Sequence, residues 1–386
     1  MNPAFKHFDL ILSQPSFDHV LTDLIIELDY LRKKELGGST HPKIFFQLKN
    51  LFHTLESIGS ARIEGNRTTI AEFIETKIEP HKIVDEGIQE IINMEKGMDF
   101  IDHHVKDYPI NRAFISELHK RVVDGLSPSK EGDANPGQYR SVNVKINRAV
   151  HLPPDVSQVT SYMDELFKFI NHNDGPKYDL LKTAIAHHRF VWIHPFRNGN
   201  GRTVRLFTYA MLVKQGFNID RGRIVNPTAI FCHDRQKYFD NLSVADKGDA
   251  ASILSWCEYV LFGLKREIEK VDRLLNYAYL KEKILLPTID ISLERKLITD
   301  VEAKILKVAA QKQVFQAGDL KTILPGKLPA EISRIIRRLR TKKMIIPEEK
   351  DARKYLLSFQ SNYLLRGVIH TLGDNGFLPV KDPSPA

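Results

Sequence analysis

Apolar residues recur at helical spacing along most of this chain. Residues 17–36 (FDHVLTDLIIELDYLRKKEL) keep that spacing and stop at Gly37-Gly38, the pattern of a helix followed by a turn. From Pro42 to Ile63, the residues Ile44, Phe45, Leu48, Leu51, Phe52, Leu55 and Ile58 fall three and four apart, which predicts a second helix closed by Glu64-Gly65. Further helices are predicted at 68–78, 85–105, 110–124, 156–171, 177–192 and 203–216. One stretch changes period. Gly137 to Pro154 (GQYRSVNVKINRAVHLPP) alternates Val142, Val144 and Ile146 with polar residues and resumes at Val150 after Asn147-Arg148, which predicts a short β-hairpin.

From Ala251 to Leu286 the spacing is helical again, interrupted only by Gly263, and predicts one long helix closed by Pro287. Beyond it lie short helical patterns at 301–310 and 317–323, then a third at 329–343 with proline just inside its start. Residues 344–359 alternate around an acidic-basic turn. Three helices and a two-stranded wing is the order of a winged-helix domain. The expected fold is therefore mainly α: a helical domain carrying a β-hairpin, followed by a small α+β winged helix. Its expected parts are an N-terminal helical region (1–95, with a helix at about 42–65), a core (96–265), the connecting helix (251–286), the winged helix (297–360) and a tail (361–386) ending in a frayed DPSPA.

A chain of 386 residues exceeds one ordinary domain, and 42% hydrophobic with 27% charged residues is the composition of a globular protein. No apolar run approaches the roughly 20 residues that cross a bilayer, and Asp9 and Gln14 interrupt what would be a secretory signal. The expectation is a cytoplasmic protein with no membrane contact. Cys232 and Cys257 are the two cysteines, without metal-ligand or redox spacing, and read as reduced thiols. Residues 301–360 hold 14 Lys/Arg against 6 Asp/Glu, which accounts for the whole net charge of +8. Basicity belongs to that module alone.

The candidate chemistry lies in His194-Pro-Phe-Arg-Asn-Gly-Asn-Gly-Arg-Thr-Val-Arg205, a glycine-rich loop between two apolar helices. Backbone N–H groups of Gly199, Asn200 and Gly201, with the positive end of the following helix, form a place for an anion. Arg202 and Arg205 share one face of that helix and can fork onto phosphate oxygens. His194 stands at the loop entrance, where an imidazole can take a proton from an incoming hydroxyl. Phe196, apolar in a polar loop, is expected to plug into the core. A P-loop is excluded because its Gly-x-x-x-x-Gly-Lys-Ser/Thr spacing is absent. A zinc site on His187, His188 and His194 lacks His-Glu-x-x-His and any acidic ligand between them; His187 is expected inside the core and His188 near the surface.

HPFRNGNGRTVR resembles the signature of Fic-domain proteins, His-x-Phe-x-(Asp/Glu)-Gly-Asn-Gly-Arg-x-x-Arg. The resemblance reaches upstream through LLKTAIAHHRF to the segment 137–154, which resembles the family's flap, and covers roughly residues 40–265. It implies a helical fold that binds ATP with Mg2+ and moves AMP to a Tyr, Ser or Thr hydroxyl of a target protein. On that resemblance His194 is the base, and the ATP phosphate-binding set is Arg197, Asn198, Gly199, Asn200, Gly201, Arg202 and Arg205. Asn200 and Arg202 would hold the α- and β-phosphates and Arg205 the γ-phosphate. Flap residues Val142, Val144 and Ile146 would pair with the target backbone as an added strand. Tyr238 and Asn241 resemble positions near the adenine, although an aromatic at helical spacing also fits a core. One position departs: Asn198 stands where the family has the acid that binds magnesium, and an amide oxygen is a weaker ligand for a hard cation. Related kinases share the asparagine but replace the next glycine, which is kept here as Gly199.

Ser60-Ala-Arg-Ile-Glu64-Gly65 resembles the family's inhibitory pattern, (Ser/Thr)-x-x-x-Glu-(Gly/Asn). A carboxylate reaching Arg205 would take the charge-assisted pair that the γ-phosphate needs. The same glutamate assists removal of AMP in some relatives. Other readings stay open: transfer of another phosphate-linked group, self-modification, and a homodimer. The helix at 329–343, with Ile332, Ile335, Ile336 and Leu339 inside and Arg334, Arg337, Arg338 and Arg340 outside, suits either DNA or a protein partner, so a DNA-binding regulator with a nucleotide-sensing domain is the alternative.

Overall fold

The computed structural model describes residues 5–33, 38–78, 84–146, 149–217, 227–350 and 352–379. The chain divides into two compact units, one of Met1–Glu35, His53–Thr68 and Ile83–Ile268 and the other of Leu36–Phe52, Thr69–Lys82 and Glu269–Ala386. The first part of the chain forms helices α1 (Val20–Lys33), α2 (Pro42–Glu64), α3 (Ile70–Ile78), α4 (Glu86–His104), α5 (Arg112–Val123), α6 (Val159–Asn171), α7 (Asp179–Ile193) and α8 (Asn200–Lys214). Then come α9 (Pro227–Cys232), α10 (Arg235–Ala245) and α11 (Ala250–Asp272). Asp85, Asn111 and Asp234 start α4, α5 and α10 by accepting first-turn N–H groups of Ile88, Phe114 and Lys237.

In the first unit α7 and α8 are buried all round, with Ala184, Phe190, Trp192, Val204, Phe207 and Ala210 inside. Helices α4, α5 and α6 pack around this pair. An element with no polar face belongs at the centre. The loop joining α7 to α8 is therefore set on the most rigid part of the unit.

The second unit contains α12 (Tyr277–Leu280), α13 (Leu286–Glu294), α14 (Asp300–Lys312), β1 (Val314–Gln316), α15 (Pro329–Thr341), β2 (Ile345–Pro347), β3 (Lys354–Leu357) and α16 (Leu365–Asp374). Its antiparallel sheet has the order β1-β3-β2, pairing Val314 and Ile346 with Leu356 from either side. Only a short 3-10 turn, Ala317–Leu320, forms where a helix is expected at 317–323, and β1 precedes it.

The predicted hairpin is not formed: among the described residues 137–146 and 149–154 there is no strand, and the Asn147-Arg148 turn lies outside the described residues. Side chains make local hydrogen bonds there instead. Arg140 donates to the Val142 carbonyl, and the Asn143 side chain accepts from the Val156 N–H and donates to Asp155. The long helix expected to Leu286 ends at Asp272, and Pro287 does not close it but lies within a helical run from Tyr277 to Glu294, directly after a π-helical turn at Lys281–Leu285 where the ordinary hydrogen-bond pattern is already interrupted. The expected tail carries α16, which buries Leu365, Val368 and Leu372; its final residues 380–386, DPSPA included, lie outside the described residues. Helix α4 runs unbroken through 95 and 96, so no boundary falls there. No described helix is long and apolar enough to cross a membrane.

Candidate active site

The site is built on the turn between α7 and α8. His194 caps α7 in the left-handed region at φ 51°, which costs a non-glycine residue roughly 1 kcal/mol, and Gly199 at φ 72° opens α8. Buried Arg140 holds the strained turn: its Nε donates to the His194 carbonyl at 3.0 Å and its backbone N–H to the Pro195 carbonyl at 2.8 Å. Asn200 clamps the interior, its Oδ1 accepting from the Phe196 N–H at 2.9 Å and its Nδ2 donating to the Phe196 carbonyl at 2.8 Å. The Asn200 side chain thus shapes the loop and does not face its mouth.

Phe196 is fully buried and stacks on His119 of α5, with ring centroids 3.7 Å apart and 3° between the planes. Burying a phenylalanine stabilises the turn by about 1.5–3 kcal/mol. His119 Nδ1 accepts the Gly137 N–H at 2.8 Å, so the proton sits on Nε2, which donates to the Asn198 carbonyl at 3.0 Å. Burial pushes this imidazole down to about 4, against the opposing pull of the Asn198 carbonyl and of Asp133. One neutral ring therefore joins the loop to the base of the 137–154 segment.

The half-buried His194 ring follows the same logic. Its Nδ1 faces the Val191 carbonyl at 3.3 Å, an acceptor only, so Nδ1 carries the proton and Nε2 keeps a free lone pair. Burial lowers its pKa to about 4, with the Val191 contact working upward. At neutral pH it is a proton acceptor.

Arg205 is buried and held from two sides. Its Nε donates to Ser60 Oγ at 2.8 Å, and its Nη2 to the Ser60 carbonyl at 3.0 Å and to Glu64 Oε1 at 2.6 Å. Below it, Thr208 Oγ1 gives its proton to the Val204 carbonyl and so accepts from His187 Nδ1, which leaves His187 Nε2 to accept from Tyr238. The Tyr238 hydroxyl in turn faces Arg205. Burial opposes ionisation of Glu64, but the charges of Arg205 and Arg202 and the Arg205 hydrogen bond outweigh it, so its carboxyl stays below the ordinary range. That carboxylate lies against Gly201, where an added Cβ would come within 2.1 Å of Oε1. Arg202, one turn earlier, meets Glu90 of α4 and Glu131 of the 124–137 loop.

His194, Gly199, Asn200, Gly201, Arg202, Arg205, Ser60 and Glu64 are brought together, and Gly65 ends α2 at φ 107°. Arg197 is exposed. Val142 is exposed, with Val144 and Ile146 partly so. Tyr238 is 2% exposed and supports Arg205, whereas Asn241 lies half-exposed with its amide on the Lys237 carbonyl, so the two do not converge on a ligand. His188 is buried, not near the surface, because Asp246 accepts from it inside the fold. Sequence reasoning missed His119, Arg140, Glu90 and Glu131. Single residues on distant segments carry no spacing signal, although Arg140 directly precedes the alternating stretch.

The Asn198 amide donates both hydrogens to the Lys130 and Gly132 carbonyls, which fixes the side chain and leaves Oδ1 as the one atom that could face a cation. No group of three or more His, Cys, Asp or Glu is placed for a metal ion among the described residues.

Residues 109–212 match the family model described as Fic/DOC family. The chain is 31% identical over 204 residues to Protein adenylyltransferase Fic of Aedes aegypti, and 32% over 203 residues to the protein of that name from Drosophila melanogaster; each match covers 51% of this chain and 37% of the relative. The chain thus matches little more than a third of those relatives' length. A Fic family protein from Desulfovibrio desulfuricans G20 shares the fold at TM-score 0.53 and 19% identity, over 93% of this chain and 98% of that one. A Fic domain containing signaling protein from Bacteroides thetaiotaomicron VPI-5482 does so at TM-score 0.54 and 19% identity, over 65% of this chain and 96% of that one. The helical fold is common to all three, and the stretch that matches the Fic/DOC family model, residues 109–212, holds the whole His194 loop.

Proposed function

We propose that this chain binds ATP along the 194–205 loop and transfers AMP to a Tyr, Ser or Thr hydroxyl of a target protein, with Glu64 as its brake. The hydroxyl oxygen attacks the α-phosphorus, pyrophosphate leaves, and the hydroxyl proton passes to His194 Nε2. The observation that carries the reading is the pairing of a base with a free Nε2 and an arginine of the phosphate cradle held by Glu64 at 2.6 Å. Stabilisation of the leaving phosphates falls to Arg202, Arg205 and the N–H groups at the start of α8. Magnesium would accompany the nucleotide as its own counter-ion. The exposed Val142 suits the docking segment to a target's backbone, and relatives named Protein adenylyltransferase Fic support the reaction class. Two free thiols support a reducing, cytoplasmic setting.

Incubating Glu64→Gly protein with α- and γ-labelled ATP in parallel tests this. The α-label alone is expected on protein, well above the wild-type amount, and His194→Ala is expected to remove it. Label from the γ-phosphate, or equal labelling by wild type, defeats the reading.

A second reading rests on α15, which turns Arg334, Arg337, Arg338 and Arg340 outward while burying Ile332, Ile336 and Leu339. This favours the winged-helix interpretation of the second unit and a DNA contact through that helix. Retardation of mixed DNA that weakens steeply with salt would support it; no retardation at low salt would end it.

A further inference from the structure

Both arginines of the phosphate cradle are held by carboxylates, and only the hold on Arg205 has a sequence motif behind it. Arg202 is 1% exposed, and its guanidinium meets Glu90 Oε1 at 3.0 Å, Glu131 Oε2 at 2.8 Å and the Glu131 carbonyl at 2.8 Å. With Glu64 on Arg205, three carboxyl groups surround two guanidinium groups. Burial raises the pKa of Glu90 and moves it toward its neutral form, yet Glu131 still neutralises Arg202. No positive charge is left over for a phosphate chain.

Asn198 is what seats Glu131. Its Nδ2 donates to the carbonyls of Lys130 at 3.1 Å and Gly132 at 2.8 Å, the residues on either side of Glu131. Only an amide can do this, because a carboxylate at 198 has no proton to give and would face two carbonyl oxygens. The position that departs from the family signature is thus the one that fastens this loop. The Glu131 side chain is 48% exposed and has solvent to swing into, whereas Glu90 at 4% is enclosed and also accepts from Asn66.

We propose that Glu131, seated by Asn198, is a second brake: its carboxylate masks Arg202 and must leave before a nucleotide's phosphates lie along the loop. This rests on the reading that the loop binds ATP. Binding of a non-hydrolysable ATP analogue, measured by calorimetry on the full chain, tests it in Glu64→Gly and Glu64→Gly/Glu131→Gln proteins. Glutamine keeps the shape and backbone contact while removing the charge, and affinity is expected to rise by up to roughly fivefold, the range of a partly exposed ion pair. Asn198→Ala is expected to raise hydrogen exchange over 127–133, which Glu131→Gln leaves unchanged. If Glu64→Gly protein binds the analogue and Glu131→Gln adds no affinity, the second brake is overturned while the nucleotide reading stands. If Asn198→Ala leaves exchange unchanged, the seating role is overturned. If no variant binds the analogue, both readings fall.

Discussion

Glu64 and Gly201 occupy each other's space: a methyl group at residue 201 would lie 2.1 Å from Glu64 Oε1. Glycine at this point lets a carboxylate rest on the first turn of α8, where the helix dipole and Arg205 both favour negative charge. The Glu64 carboxylate, the proposed brake, occupies a place suited to an anion.

Stability effects at these two positions should therefore be coupled. In wild-type protein, Gly201→Ala is expected to break the Glu64–Arg205 pair and lower Tm. In Glu64→Gly protein the obstruction is gone, and the same change is expected to be neutral or to stabilise by up to about 1 kcal/mol through helix propensity. Thermal unfolding of the four proteins measures this, and additive shifts would contradict the geometry.

If His194 is the base, as proposed, the pH dependence follows from its burial. His194 is lowered to about 4 from an ordinary value near 6.5, so its Nε2 remains a proton acceptor down to that pH. In Glu64→Gly protein, kcat/KM for ATP is expected to show no inflection between about pH 5.5 and about pH 7.5, where an ordinary histidine would titrate. An acid limb centred near 6.5 would mean the ring is solvated when it works.

The brake should be equally indifferent to mild acid. A carboxyl whose pKa is depressed in the fold holds fully above its unfolded value of about 4.3 and weakens only as pH falls through the folded value. The ratio of AMP labelling in Glu64→Gly over wild type is expected to stay constant from about pH 8 down to about pH 5.5. A ratio that collapses near neutrality would point to a different group.

His119 is a positioning residue. Replacing it with phenylalanine keeps a ring against Phe196 but leaves the Asn198 carbonyl and the Gly137 N–H without their partner, at about 1–3 kcal/mol each. In Glu64→Gly protein, His119→Phe is expected to reduce turnover by about tenfold or more while ATP-analogue affinity changes less, because the loop and the target-facing segment lose their shared anchor. Equal losses in turnover and affinity would show a general loosening instead.

What the sequence revealed, and what it hid, divides by distance along the chain. The 194–205 loop and the Ser60–Glu64 turn are local patterns, legible because both are fixed within one or three helical turns. Glu131 reaches Arg202 across 71 positions, and His119 reaches the Asn198 carbonyl across 79; only packing of α5, α8 and the loop between them unites these groups. The alternation of Val142, Val144 and Ile146 gave no strand among the described residues, where the Val142 carbonyl accepts from Arg140 instead. Pro287 does not end its helix because the chain widens into a π-helical turn at Lys281–Leu285 just before it, an accommodation that no spacing pattern reveals.

Arg140 reaches the His194 carbonyl with one nitrogen, the Val142 carbonyl with a second at 3.0 Å and the Pro154 carbonyl with a third. A single planar cation thus yokes the backbone that positions the base to the backbone that would receive a guest polypeptide. Pulling on either end turns the same rigid fork, so a poorly seated guest would also misalign the imidazole. Under the proposed function, selectivity would then be mechanical: a wrong partner would be refused by failing to set the tool, even where it finds room to lie down.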